Sequence, residues 1–115
     1  MTAKLFDWSA EVQDAITRLS KPGLVFPFGK AATLVDYLAS RMVVPRIDIL
    51  KRAKEINVSD AENFLASTLA NVTMAIHHKG TVPDPGGWYF HATEFDLNMY
   101  VLDRGFSAAW RAARS

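Results

Sequence analysis

Between Ser59 and Gly80 the sequence specifies a helix more firmly than anywhere else in the chain. Ser59-Asp-Ala-Glu62 has the spacing of a capping box, in which serine and glutamate satisfy orphan N–H groups of the first turn. Leu65, Leu69, Val72 and Ile76 follow at spacings of four, three and four, with Phe64 beside them. Asn63, Ser67, Asn71 and Thr73 occupy other faces. His77-His78-Lys79 places polar or cationic groups at the C-terminal turn, and Gly80 suits the C-cap. This helix is expected to be the spine of the core.

Three more helices are predicted before it. Ser9 can cap a first run with Val12, Ala15, Ile16 and Leu19 on one face, stopped by Pro22-Gly23. A second, from about Ala31 to Met42, aligns Ala31, Leu34, Val35, Leu38 and Met42. Pro45 suits the first turn of a third, where its missing N–H would be unpaired anyway, and Ile47, Leu50, Ala53 and Ile56 follow. Beyond the fourth helix, Thr81-Val-Pro-Asp-Pro-Gly-Gly87 cannot stay helical and predicts a loop. Trp88-Tyr-Phe90 is then a candidate short extended piece.

From residue 95 two periodicities compete. Phe95, Leu97, Met99 and Val101 alternate with Asp96, Asn98 and Tyr100, as a strand would. Thr93 as N-cap with Phe95, Met99, Leu102, Phe106 and Trp110 on one face gives a helix instead, and the helical reading is preferred, kinked at Gly105. The expected fold is therefore all-α: one domain over residues 1–115, a bundle of about five helices with a Pro/Gly/aromatic loop and at most one short β segment near residues 87–92.

A chain of 115 residues, 50% of them apolar, can bury a core without staples. With no cysteine it offers no disulfide and no thiolate ligand, which fits a reducing compartment. The start, Met1-Thr-Ala-Lys-Leu-Phe-Asp-Trp, lacks the pattern of a signal peptide, and the apolar stretch from Phe64 to Ile76 is too interrupted to span a membrane. A cytoplasmic location is expected. Without a secretory signal, the glycosylation patterns at Asn57 and Asn71 are read as accidental.

Chemistry finds little support. Nucleophilic catalysis needs an activated side chain beside a base, and no Gly-x-Ser-x-Gly elbow is present. Phe28-Gly-Lys30 has one glycine where a phosphate loop needs several. His77, His78, His91 and Glu94 are the best metal candidates, but their spacing matches no established ligand set. Asp84 suits a turn, and Glu94 and Asp96 suit a helix first turn without acid–base work. No catalytic residue, metal or cofactor is expected.

Binding is better supported, and charge directs attention to two places. Arg41, Arg46, Lys51, Arg52 and Lys54 against Asp48 give residues 41–54 a net charge of +4. Residues 55–103 set Lys79 against seven acids, a net of −6, although the whole chain carries only +1. Leu38, Ala39, Met42, Val44 and Ile49, with Pro45-Arg46 opening the next helix, resemble a helix-turn-helix over Leu38–Lys54. That resemblance implies Arg46 as a base reader and Arg41, Lys51, Arg52 and Lys54 as phosphate contacts. It departs from the motif at Val43, where glycine is usual, at Ile47, usually exposed, and at Arg52, usually buried. The competing account is a solvated face tied by Asp48–Arg52 and Lys51–Glu55 pairs.

The other place is the aromatic loop. Trp88, Tyr89 and Phe90, followed by His91, cannot all point one way from an extended segment, because neighbours alternate sides. Exposed rings of this kind anchor protein interfaces. Phe26 and Phe28 form a smaller patch of the same type. The competing account folds both patches over the core as lids. Arg104, Arg111 and Arg114 share a face of a helical tail and suit its C-terminus, or the acidic residues of a second copy. The leading expectation is a non-enzymatic protein-binding module, an adaptor, inhibitor or part of a larger assembly; the alternative is a DNA-binding regulator. The expected partner is another protein, with DNA or self-association as further options and no membrane.

Overall fold

The computed structural model describes residues 8–21, 27–57, 59–76, 87–94 and 97–115. Helix α1 (Ser9–Leu19) buries Val12, Ala15 and Leu19, and the residue at its cap position is Trp8 rather than Ser9. Helix α2 (Phe28–Arg41) begins earlier than expected and buries both small and branched residues from Ala31 to Ala39. Met42 ends it at φ 65°, a left-handed backbone that costs a non-glycine residue about 1–2 kcal/mol. The Met42 N–H donates to the Leu38 carbonyl at 2.7 Å, and its own carbonyl accepts from the Leu102 N–H at 2.8 Å, so the reversal is held on both sides.

That reversal sends the chain into strand β1 (Val43–Pro45) and then helix α3 (Arg46–Ile56), which buries Ile49 and Ala53. Pro45 ends an edge strand, where a missing N–H breaks no ladder, and sits at the cap of α3 instead of inside its first turn. Helix α4 (Ala61–Ile76) buries Phe64, Leu65, Thr68, Leu69, Val72 and Ile76, the expected face with Thr68 added. The predicted box of Ser59 and Glu62 does not form. Asp60 accepts the Asn63 N–H at 3.1 Å, while Ser59 Oγ donates to Asn57 Oδ1 at 3.1 Å. Aspartate caps as well as serine and adds a charge that favours the positive end of the dipole. Helix α4 packs against both α1 and α3, as a spine should. Pro22-Gly23, Phe26, His77–Gly80, Thr81–Gly86, Phe95 and Asp96 lie outside the described residues.

Strands β2 (Tyr89–Glu94) and β3 (Leu97–Leu102) form an antiparallel hairpin in which Glu94 pairs with Leu97. Strand β1 adds to the other side of β3, giving the order β1-β3-β2. The all-α expectation is thus corrected: helices dominate, but a small antiparallel sheet accompanies them. The extended piece near residues 87–92 is part of it, as β2. The helix expected from Glu94, capped by Thr93, is not formed, because residues 97–102 hydrogen-bond to strands on both sides. Leu102, Phe106 and Trp110 are all buried, but from a strand followed by a helix.

The break falls at Asp103, whose carboxylate accepts the Phe106 N–H at 2.9 Å and caps helix α5 (Arg104–Arg114). Gly105 therefore lies in a first turn and kinks nothing. It is there for space: a Cβ on Gly105 would stand 2.8 Å from Trp8 Cδ1. Glycine to alanine inside a helix ordinarily gains up to about 1 kcal/mol. Here Gly105→Ala is expected instead to destabilise by about 1–3 kcal/mol, by overpacking against a buried indole. Urea unfolding of the variant checks the sign.

Candidate interaction surfaces

Strand register sorts the sheet's side chains onto two faces. Residues directly opposite one another share a face. One face carries Val44, Tyr100 and Leu102, all buried in the core, with Tyr89 and His91 on β2 beside them. The other carries Val43, Phe90 and Val101 in one row, Pro45, Ala92 and Met99 in the next, and Leu97 in the last. The inward phase is the reverse of the one the sequence suggests. Leu97, Met99 and Val101 point outward, and Tyr100 points in.

Trp88, the first candidate anchor, belongs to the core. It is 1% exposed, its indole N–H donates to Thr73 Oγ1 at 2.9 Å, and its ring lies 4.9 Å from that of Phe106. Tyr89 is half-buried beside Tyr100, and burial, then Tyr100, push its phenol above the ordinary range. His91 is exposed, with its ring edge-on to Tyr100 at 4.5 Å. Phe90 alone among the three consecutive aromatics stands out into solvent, 58% exposed. Phe28 is half-buried at the start of α2 under the Arg114 guanidinium, so it belongs to the seam between α2 and α5.

Within the basic segment, Arg46 and Arg52 each donate to another side chain. Arg46, the candidate base reader, donates to the Tyr100 hydroxyl at 2.8 Å and so is held against the sheet. Arg52 pairs with Glu55 at 3.0 Å, in place of the Asp48–Arg52 and Lys51–Glu55 pairs expected from spacing. Arg41 and Arg52 both lie over the Tyr37 ring. An open cleft of about 620 Å³ between α2 and α3 is lined by Arg41, Lys51 and Arg52 but equally by Asp36, Asp48 and Glu55. Three acids thus stand among three bases in that cleft. Helices α2 and α3 are also joined through a strand of the sheet instead of a tight turn. Lys54 is exposed on α3.

In the tail, Arg114 grips Asp36 of α2 through two hydrogen bonds of 3.0 Å, and Arg111 donates to the Ser107 carbonyl at 3.3 Å. Among the described residues, no three His, Asp or Glu side chains gather as a metal site, and no helix is long and apolar enough to cross a membrane.

What sequence reading missed is the outer sheet face as a unit. Five large apolar side chains are left exposed among the described residues: Val43, Ile47, Met74, Phe90 and Leu97. Three of them stand on that face and Ile47 borders it, so the exposure is clustered rather than scattered. No family model matches the chain, and comparison with curated proteins and with solved structures yields no match.

Proposed function

We propose that the chain is a protein-binding module that acts by contact rather than catalysis, through the outer face of its sheet. The apolar content of that face carries the reading. An antiparallel sheet with one face on the core ordinarily shows polar residues on the other. Here the described outward side chains are Val43, Pro45, Phe90, Ala92, Leu97, Met99 and Val101, all of them apolar. Contiguous exposed apolar surface of this kind marks interaction sites on soluble proteins. Phe90 replaces Trp88 as the anchor.

Phe90→Asp is expected to leave stability within about 0.5 kcal/mol, because the ring is mostly in solvent already. The same change should weaken partner capture by at least about 2 kcal/mol, roughly thirtyfold. Affinity capture on nuclease-treated lysate, with thermal melts of both proteins, checks this. Undiminished capture by Phe90→Asp would remove the face from consideration.

A second reading, DNA binding, is favoured by the order of elements. Helices α3 and α4 are joined by only four residues, 57–60, and are followed by a β-hairpin, which is the order of a helix-turn-helix carrying a wing. In that layout α4 would be the reading helix, not α3. Helix α4 carries Glu62 and no lysine or arginine, and phosphate contacts supply most of the affinity of DNA binders. Fold order alone does not assign function, and charge favours the protein-binding reading.

A further inference from the structure

We infer that the cleft between the inner face of the sheet and α4 binds a small aromatic monocarboxylate, with its acid group on Arg46 and its ring against Tyr89, His91 and Tyr100. The site is separate from the outer face and does not depend on the protein-binding reading. Strand register brings the three rings together: His91 on β2 lies directly opposite Tyr100 on β3, and Tyr89 stands two residues along β2. The ring centroids are 4.5 Å apart for His91 and Tyr100, 5.7 Å for Tyr89 and His91, and 6.0 Å for Tyr89 and Tyr100, so they form one aromatic wall. The facing wall is a stripe of α4, Leu65, Ala66, Leu69 and Ala70, at the spacing that aligns residues on one side of a helix. Leu65 and Leu69 are buried, whereas Ala66 and Ala70 are exposed. Side chains as short as alanine keep the walls apart, and about 280 Å³ of space lies between them.

Polar groups decide what enters. Arg46 opens α3 straight after Pro45, whose pairing with Met99 fixes where the arginine stands. One of its N–H groups goes to the Tyr100 hydroxyl at 2.8 Å, and among the described residues it makes no ion pair. A guanidinium carries five N–H donors in a planar fork that fits the edge of a carboxylate, so most of them are left for a ligand. Tyr100 is 3% exposed, and its hydroxyl, having accepted from Arg46, still has a proton to donate. Burial, then Tyr100, push the Tyr89 phenol above its ordinary range, so it too keeps its proton. Donors therefore dominate the cleft, and Glu62, exposed at its edge, is the one carboxylate among the described residues that line it. One guanidinium beside one carboxylate suits a single negative charge and opposes the two of a phosphate.

The volume is at the lower end of small-molecule sites and suits about ten non-hydrogen atoms, a ring with a short acid arm. A ligand of that size, held in a cleft with exposed edges, should have a dissociation constant between about 0.1 and 5 mM.

Phenylacetate is the probe, added to the full chain and followed by proton–nitrogen correlation spectra. Saturable shifts are expected at Arg46, along Leu65–Ala70, and at Tyr89, His91 and Tyr100. Phenylacetamide, its neutral isostere, should bind at least about tenfold more weakly, because the charge-assisted hydrogen bonds are lost. Arg46→Gln should weaken phenylacetate by the same factor. Inorganic phosphate should give no saturable shift at these residues. Ala70→Leu fills the cleft from the exposed side of α4 and should abolish binding of acid and amide alike while the melting temperature holds. That variant and the amide keep the test intact even if Arg46→Gln folds poorly. Shifts that do not saturate by tens of millimolar, equal binding of acid and amide, or undiminished binding by Ala70→Leu overturn the inference. Saturable phosphate binding at these residues, or a phenylacetate response that maps to the cleft between α2 and α3, overturns it as well.

Discussion

Trp88→Ala is expected to cost about 3–5 kcal/mol, the range for truncating a fully buried aromatic. Domains of this size are stable by only about 5–15 kcal/mol in total, so the variant should be largely unfolded at moderate urea concentration or on gentle warming. The loss has several sources. The indole fills space between β2, α4 and α5: its N–H reaches Thr73 at 2.9 Å, and its ring packs on Phe106 and Tyr89 at 4.9 and 4.8 Å. The Trp88 carbonyl also accepts the Asp103 N–H at 2.8 Å, which fixes the chain just before α5 begins. Trp88→Phe separates these contributions. It keeps most of the apolar volume and loses the hydrogen bond, so it should cost distinctly less than alanine, about 1–2 kcal/mol. Denaturant unfolding of both variants, followed by far-ultraviolet circular dichroism, gives the two midpoints. The comparison also governs how binding experiments are read. Loss of a partner with Trp88→Ala reports loss of the fold, whereas loss with Phe90→Asp reports loss of the surface.

Sequence periodicity located four helices within a few residues because each carries a one-sided apolar stripe. The α4 stripe from Leu65 to Ile76 is buried as spacing predicts. Its cap was displaced by one residue because Asp60 and Ser59 both present an acceptor, and spacing alone does not decide which reaches the free N–H groups. The last quarter of the chain was misjudged for a physical reason. A strand with one buried face shows a single alternating phase, but β3 is apolar on both faces: Leu97, Met99 and Val101 outward, Tyr100 and Leu102 inward. Two interleaved apolar sets blur the period of two. Leu102, Phe106 and Trp110 then matched a helical face across a boundary that Asp103 in fact marks. Tyr100 was counted as polar, yet its hydroxyl is satisfied by Arg46, 54 residues earlier in the chain.

The same blurring hid the candidate site. Val43 falls at the turn of a helix-turn-helix and Pro45 suits the first turn of a helix, and nothing local in the sequence says that they pair with a strand more than 50 residues later. The outer face exists only once β1, β3 and β2 are side by side. Of the candidate aromatics, Trp88 is buried and Phe90 exposed, and strand alternation alone cannot say which of the two faces the core. The −6 charge of residues 55–103 did carry information that survives folding, because it leaves α4 without a cation for DNA.

Asp36→Ala is the second large effect expected, about 2–3 kcal/mol, although a carboxylate on a helix surface would usually be dispensable. Asp36 Oδ1 accepts the Trp110 indole N–H at 2.7 Å and the Arg114 Nε–H at 3.0 Å, and Oδ2 accepts Arg114 Nη2–H at 3.0 Å. One side chain thereby fastens α5 to α2. The hydrogen bonds to Asp36 hold the Arg114 guanidinium above its ordinary pKa, but both side chains of the pair are about a third or more exposed. An ion pair so placed is worth about 0–1 kcal/mol, so Arg114→Ala should change stability little. Trp110 is different. It is 1% exposed and stacked on Phe106 at 5.8 Å, and an indole N–H left without an acceptor in the interior costs about 1–3 kcal/mol. A double-mutant cycle of Asp36→Ala with Trp110→Phe, read by urea unfolding, should give a coupling of about 1–2 kcal/mol. Equal losses from Asp36→Ala and Arg114→Ala would instead place the stabilisation in the ion pair and deny the indole its part in holding α5.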